Sequence, residues 1–218
     1  MERTEPQDKK RDLLLIFTRN PQLGKCKTRL AETIGDQAAL DIYRFLLEHT
    51  AAITRNLPVS KTVYYSDEIW ENDLWERPTF AKALQHGHDL GERLMDAFDK
   101  GFKAGYQRIV VIGSDMYDLR AEDLERAFNE LEASDYVIGP ARDGGYYLLG
   151  MKALNKKLFR NKNWGTGSVL KDSLNDLKEH QLVLLSPKND VDIYEDIKDQ
   201  AVFEPFIKHL KNDERTTG

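Results

Sequence analysis

Arg108-Ile109-Val110-Val111-Ile112-Gly113 (RIVVIG) is the most strand-like run of the chain: four β-branched residues in a row, closed by a glycine, with no polar alternation. A run of that kind suits a strand buried on both faces, as in a parallel sheet covered by helices. Leu13-Leu14-Leu15-Ile16-Phe17 repeats the pattern near the start. Residues 61–65, 136–139, 146–151 and 182–185 read as further strands, the last as a core strand. Between them lie helical stripes. Ala39, Ile42, Tyr43, Leu46, Thr50 and Ile53 recur at helical spacing behind Asp36 as cap. Leu90, Leu94, Ala97, Phe98 and Gly101 do so behind Asp89. Leu124, Ala127, Phe128 and Leu131 mark a third helix, residues 167–180 a fourth, and residues 193–210 a mainly helical end broken near Pro205. Residues 67–78 carry two tryptophans among acids, lack a period, and read as an irregular insertion.

Strands alternating with helices predict an α/β fold: a mostly parallel, Rossmann-like sheet with helices on both faces. Ligands of such sheets bind outside the carboxyl ends of the strands. The 218 residues suit one domain, 12–210, between flexible tails at 1–11 and 211–218. A net charge of −5 argues against a general nucleic-acid binder, so any phosphate contact must be local. The single cysteine, Cys26, excludes an internal disulfide and fits a reducing compartment. With no membrane-length apolar run and no signal-peptide core, the expectation is a cytoplasmic protein without a membrane partner. The oligomeric state is left open.

Local charge appears where the architecture expects a ligand. After the first strand comes Arg19-Asn20-Pro21-Gln22-Leu23-Gly24-Lys25-Cys26-Lys27-Thr28-Arg29-Leu30. It matches neither the P-loop nor G-x-G-x-x-G. It offers one glycine, Gly24, for close backbone approach, and Arg19, Lys25, Lys27 and Arg29 for phosphate oxygens. The plainer alternative is a solvated basic loop. Asp115, just past RIVVIG, sits at the edge of a low-dielectric core, where a carboxylate is costly without a partner; it is a candidate Mg²⁺ ligand or a turn former. Asp192, in Asp190-Val191-Asp192, is the second candidate ligand or a helix cap. Asp143-Gly144-Gly145-Tyr146 is either a hairpin turn or a wall whose amides bind a substrate oxygen. His86 and His88 have no metal-ligand pattern.

Taken in order, Pro21…Gly24…Lys27-Thr28-Arg29-Leu30, Gln85-x-Gly87-x-Asp89-Leu90-Gly91-Glu92-Arg93, Gly113-Ser114-Asp115, Gly139-Pro140-Ala141-x-Asp143-Gly144-Gly145-Tyr146-Tyr147 and Asp190-Val191-Asp192-x-x-Glu195-Asp196 resemble a known set. It is that of a bacterial family first grouped as a domain of unknown function (DUF2064) and provisionally labelled glycosyltransferase. The family is similar to the nucleotide-diphospho-sugar transferase (GT-A) superfamily, which includes the 2-phospho-L-lactate and molybdenum cofactor guanylyltransferases. The resemblance implies a GT-A fold with a nucleoside triphosphate or nucleotide sugar over the first loop. It implies Mg²⁺ on Asp115 and Asp192, and Gln85 near the base. Tyr117 stands where the family has Pro, and Ile193-Tyr194 replace its Thr-Pro; neither change removes a ligand.

The expected activity is Mg-dependent nucleotidyl transfer from a nucleoside triphosphate to a small phosphorylated or acidic acceptor. Lys27 and Arg29, with Arg19 or Lys25, would hold the triphosphate, and Asp143, Gly144, Gly145 and Tyr146 would line the acceptor side. The alternatives are a glycosyltransferase with a nucleotide-sugar donor and a non-catalytic nucleotide-binding module.

Overall fold

The computed structural model describes residues 11–216, with side chains to 210. In chain order the elements are β1 (Asp12–Thr18), α1 (Thr28–Ile34), α2 (Asp36–Arg55), β2 (Ser60–Tyr65), β3 (Ala81–Leu84), α3 (Leu90–Lys103) and β4 (Arg108–Gly113). There follow α4 (Ala121–Ala133), β5 (Tyr136–Pro140), β6 (Tyr146–Met151), α5 (Val169–Asp176), β7 (Leu182–Leu184) and α6 (Glu204–Thr216). One seven-stranded sheet runs β3-β2-β1-β4-β6-β5-β7. Only β6 opposes its neighbours, pairing antiparallel with β4 and β5; the other described pairs are parallel. The α/β sheet expected from RIVVIG is the one observed, and β1 and β4 are its adjacent central strands.

Continuous apolar runs feed both faces. Leu14, Ile16, Val110 and Ile112 point to the side covered by α2 and α4, where Tyr43, Leu47, Leu124 and Phe128 meet them. Leu13, Leu15, Ile109 and Val111 face α3, through Leu94, Ala97 and Phe98. Each such side chain removed from water contributes about 1.5–3 kcal/mol. A third cluster, on the far side of α2, joins Leu30 and Ile34 of α1 to Ile42, Leu46, Ile197, Phe203 and Ile207.

Several expectations are corrected. The basic loop ends in a helix, α1, and Gly35 rather than Asp36 caps α2 with a positive φ of 85°. Asp89 does cap α3, accepting from Glu92 N at 2.8 Å. β3, four half-exposed residues, follows an insertion that is irregular but anchored: Trp75 and Phe80 are buried edge to face at 5.2 Å. β7 is an edge strand with Leu184 exposed, not a core strand. Pro205 lies in the first turn of α6, where its missing N–H costs nothing, so the break falls before the helix. α6 extends through residues 211–216, where a tail was expected. The N-terminal tail, Arg11 apart, lies outside the described residues, as do 217–218. Among the described residues no helix is long and apolar enough to cross a membrane.

Candidate functional site

The ends of β1, β2 and β4 are locked side by side. Tyr43 Oη, reaching from α2, accepts from Arg19 N at 2.9 Å and lies 3.2 Å from Thr18 Oγ1 and 3.3 Å from Ser114 Oγ. Burial raises this phenol, so it stays a neutral hydroxyl at the junction. Asn20, buried, accepts through its amide oxygen from Asp67 N and Glu68 N and donates to Glu68 O at 2.8 Å. The loop after β1 is therefore held to the one after β2.

Beyond these ends opens a cleft of about 780 Å³. Arg19, Lys25, Lys27, Arg29, Gln85, Asp115 and Asp192 line it, which unites seven of the residues the sequence singles out. Two ion pairs between distant segments of the chain dominate. Lys27 Nζ donates to Asp115 Oδ2 at 2.9 Å, its side chain 6% exposed. Burial pulls the Lys27 ammonium down, but the charge of Asp115 and its hydrogen bond, helped by Asp192 and Asp190, more than offset this and leave it raised. Arg29 Nη1 meets Asp192 Oδ2 at 2.5 Å, with the Arg29 side chain 67% exposed.

Local backbone explains the placement. Lys27 takes a left-handed conformation, φ 50° and ψ 43°, immediately before α1, which turns its side chain inward while Arg29 rides the first turn of the helix. Asp192 is not a cap. Asp196 fills that part, its Oδ2 accepting from Asp192 N and Ile193 N at 2.9 and 2.8 Å, so the Asp192 carboxylate is free to face the cleft. An exposed pair such as Arg29–Asp192 contributes only about 0.2–1 kcal/mol to stability. Arg29→Ala should therefore leave the urea midpoint of unfolding nearly unchanged.

Gln85 is committed locally: its Nε2 donates to Thr18 O at 3.1 Å and Tyr64 O at 2.9 Å, and its Oε1 accepts from Arg93. Gly24, φ 71°, makes an exposed turn outside the cleft lining. Asp143, Gly145 and Tyr146 line a second cavity, of about 230 Å³, that shares Asp115 with the first. Asp143 Oδ1 accepts from Gly145 N at 2.8 Å, and Gly144, φ 90°, packs against Gly167 instead of facing the cavity. Sequence reasoning missed Asp190 and Trp164 there. Burial, then the charge of Asp115, pushes the Asp190 carboxyl up to about 6. Its signal was the i, i+2 spacing to Asp192.

Gly91 at the start of α3 lets this wall close: a Cβ there would meet Trp164 Nε1 at 2.5 Å and overlap the Phe159 carbonyl oxygen. Gly91→Ala should cost about 1–3 kcal/mol and displace Trp164, measured as a lower thermal midpoint and altered tryptophan emission.

Asp115 and Asp192 both line the larger cleft and offer hard carboxylate oxygens, the type Mg²⁺ takes with one or two acids plus phosphates. Among the described residues no group of three or more His, Cys, Asp or Glu forms a metal cage. Asp115 and Asp192 thus fit a partial shell that ligand oxygens would complete.

Comparison with known proteins places the fold. Over 95% of this chain and 96% of the other, the fold matches a Desulfovibrio desulfuricans G20 protein assigned provisionally as a nucleotide-diphospho-sugar transferase, with 29% identity and a TM-score of 0.80. A cytidylyltransferase from Leptospira borgpetersenii serovar Hardjo-bovis shares the fold at 12% identity and a TM-score of 0.58, covering 94% and 95% of the two chains. A CMP:2-keto-3-deoxy-manno-octonic acid synthetase complexed with CTP does so at 10% and 0.55, covering 91% and 99%. No curated protein matches the sequence. The family model described as an uncharacterized protein conserved in bacteria (DUF2064) matches residues 50–166, more than half the chain, and the protein belongs to that family.

Proposed function

We propose that this protein is a nucleotide-dependent transferase that transfers a nucleotidyl group from a nucleoside triphosphate to a small acceptor. The observation that carries the reading is the pair of salt bridges Lys27–Asp115 and Arg29–Asp192 in the lining of the larger cleft. In the free protein each cation neutralises an acid. A nucleotide arriving with a divalent cation would let every charge change partner: the two carboxylates turn to metal, the ammonium and guanidinium to phosphate oxygens. Mg²⁺ held by Asp115 and Asp192 would supply charge neutralisation on the phosphate chain.

The chain's own residues do the rest. Arg19, Lys25, Lys27 and Arg29 orient the triphosphate, and Lys27 and Arg29 stabilise charge developing on the leaving group. The acceptor oxygen forms a bond to the α-phosphorus, the α–β bridging P–O bond breaks, and pyrophosphate leaves. The acceptor proton passes to a carboxylate of the smaller cavity.

A second reading, glycosyl transfer from a nucleotide sugar, is favoured by the likeness to the Desulfovibrio protein, provisionally described as a nucleotide-diphospho-sugar transferase. Thermal shift separates the two. A ligand at about 100 times its Kd stabilises by roughly 2.7 kcal/mol. A Mg²⁺-dependent shift with triphosphates alone supports nucleotidyl transfer, and with nucleotide sugars alone glycosyl transfer. If neither shifts the midpoint, both readings fail.

A further inference from the structure

The start of α3 carries two acids and one arginine, and the backbone takes both acids. Asp89 Oδ1 accepts from Glu92 N, and Glu92 Oε2 accepts from His88 N at 2.8 Å, two bonds that tie down the helix end. Arg93 follows them and, among the described residues, forms no ion pair. Its Nε donates to Gly87 O at 3.1 Å and its Nη1 to Gln85 Oε1 at a long 3.5 Å, both neutral acceptors.

These two acceptors are themselves fixed. The Gln85 amide hangs from Thr18 O and Tyr64 O, so the guanidinium is oriented from the ends of β1 and β2. Gly87, φ 142°, has no room for a side chain: a Cβ would come within 2.6 Å of Glu92 Cβ and 2.8 Å of Arg93 N. Its carbonyl is thereby packed against the helix start that carries Arg93.

Arg93 is half-buried on the wall of the larger cleft. A guanidinium donates from all its N–H groups and accepts from none, and only two donors are used here. A partly desolvated cation without a counter-charge is costly, and a planar guanidinium fork suits a phosphate or carboxylate. The other cations of the cleft differ. Lys27 and Arg29 are paired with acids, while Arg19 and Lys25 are exposed. Those four come from the loop that leads into α1, whereas Arg93 comes from α3, on the sheet face opposite α2. Leu90, one turn earlier in α3, lines the larger cleft and the smaller cavity alike, so this end of α3 borders both.

We infer that Arg93 is an oxyanion-binding residue of the larger cleft, held by Gln85 and Gly87 to take a phosphate or carboxylate group apart from the basic loop. This deepens the transferase reading, and rests on the larger cleft being its ligand site. Gln85, expected near the base, serves here by orienting Arg93.

Calorimetric titration of inorganic phosphate and of acetate into the whole protein and into Arg93→Gln tests it. At least one anion should bind the wild type, and the variant should bind it at least about tenfold more weakly. The proposal is overturned if neither binds, or if the variant binds both as tightly as the wild type. Should Arg93→Gln fail to fold, Arg93→Lys decides: it keeps the charge and loses the planar fork, so an affinity equal to that of the wild type overturns the proposal. Each nucleoside triphosphate, titrated with MgCl2 into the same proteins, finds the source of the oxyanion. An equal loss for every base assigns Arg93 to the phosphates of the nucleotide, and no loss assigns it to an anionic group of the acceptor. A loss confined to one base would overturn the proposal in favour of base readout. If no triphosphate binds the wild type, the transferase reading falls, while the phosphate and acetate titrations still decide the role of Arg93.

Discussion

Asp115→Asn should lower the transfer rate by about 10²–10³-fold, the loss typical when one preorganised charge-stabilising group is removed, with a smaller effect on stability. Asparagine keeps the shape of the side chain beside Gly113 but not its charge. Lys27, almost fully buried, then loses the carboxylate that faces it. Because Asp115 is itself 38% exposed and Asp190 and Asp192 remain near Lys27, the stability cost should be about 1–3 kcal/mol rather than that of a fully buried broken pair. Pyrophosphate release and urea denaturation on the same preparation separate the two effects. A variant less stable but equally fast would reduce the pair to a structural tie and sink the assignment. Lys27→Met gives the complementary control: the rate should fall comparably, while no buried cation is left without its carboxylate.

The largest effect on stability is expected at Lys82, on β3. Its side chain is fully buried, and Nζ donates to Trp70 O at 2.5 Å, Glu71 O at 3.0 Å and Asp73 Oδ1 at 2.7 Å. Asp73, 11% exposed, also accepts from Tyr65 Oη and from Trp75 N, so the Lys82 ammonium ties the insertion to β3 while Asp73 carries the tie on to β2. Lys82→Met preserves the length of the aliphatic stem but leaves a buried carboxylate without its counter-charge and takes a donor from two carbonyls. Breaking one side of a buried pair costs about 3–5 kcal/mol. Chemical denaturation measures this directly. A loss below 1 kcal/mol would mean that water replaces the ammonium and that the insertion is not held by it. Because Ser66 and Asp67 line the larger cleft beside this anchor, nucleotide affinity should fall as well.

What the sequence makes legible follows from how local the signal is. RIVVIG and the run 13–17 are two-sided apolar strands, a pattern with one good structural answer, and they set the sheet. β3 is short, half-exposed and at an edge, so it carries no such pattern. α1 hides inside a basic run, although Leu30 and Ile34, four apart and both buried, mark its face. At the site, strand position singles out Asp115 and Asp192, and charge singles out Lys27 and Arg29. Their pairing spans 88 and 163 residues of chain and cannot be read locally. The same holds for Trp164, whose place depends on a glycine more than seventy positions earlier making room for it.

The reversed strand β6 has a consequence for where chemistry can happen. Leu148 pairs with Ile112, so the chain entering β6 at Tyr146 stands level with the residues leaving β4. A parallel strand in that position would begin at the opposite rim and deliver Asp143 and Tyr146 to the bottom of the molecule. One change of polarity in the sheet thus lets a hairpin tip and a strand exit share a single edge. Sliding β6 by one residue would exchange its two faces and turn the Tyr146 ring away from Trp164. The smaller cavity is therefore specified by the hydrogen-bond register of β4 and β6, and a bulge inserted between residues 146 and 148 should erase it without substituting an acid or an aromatic ring.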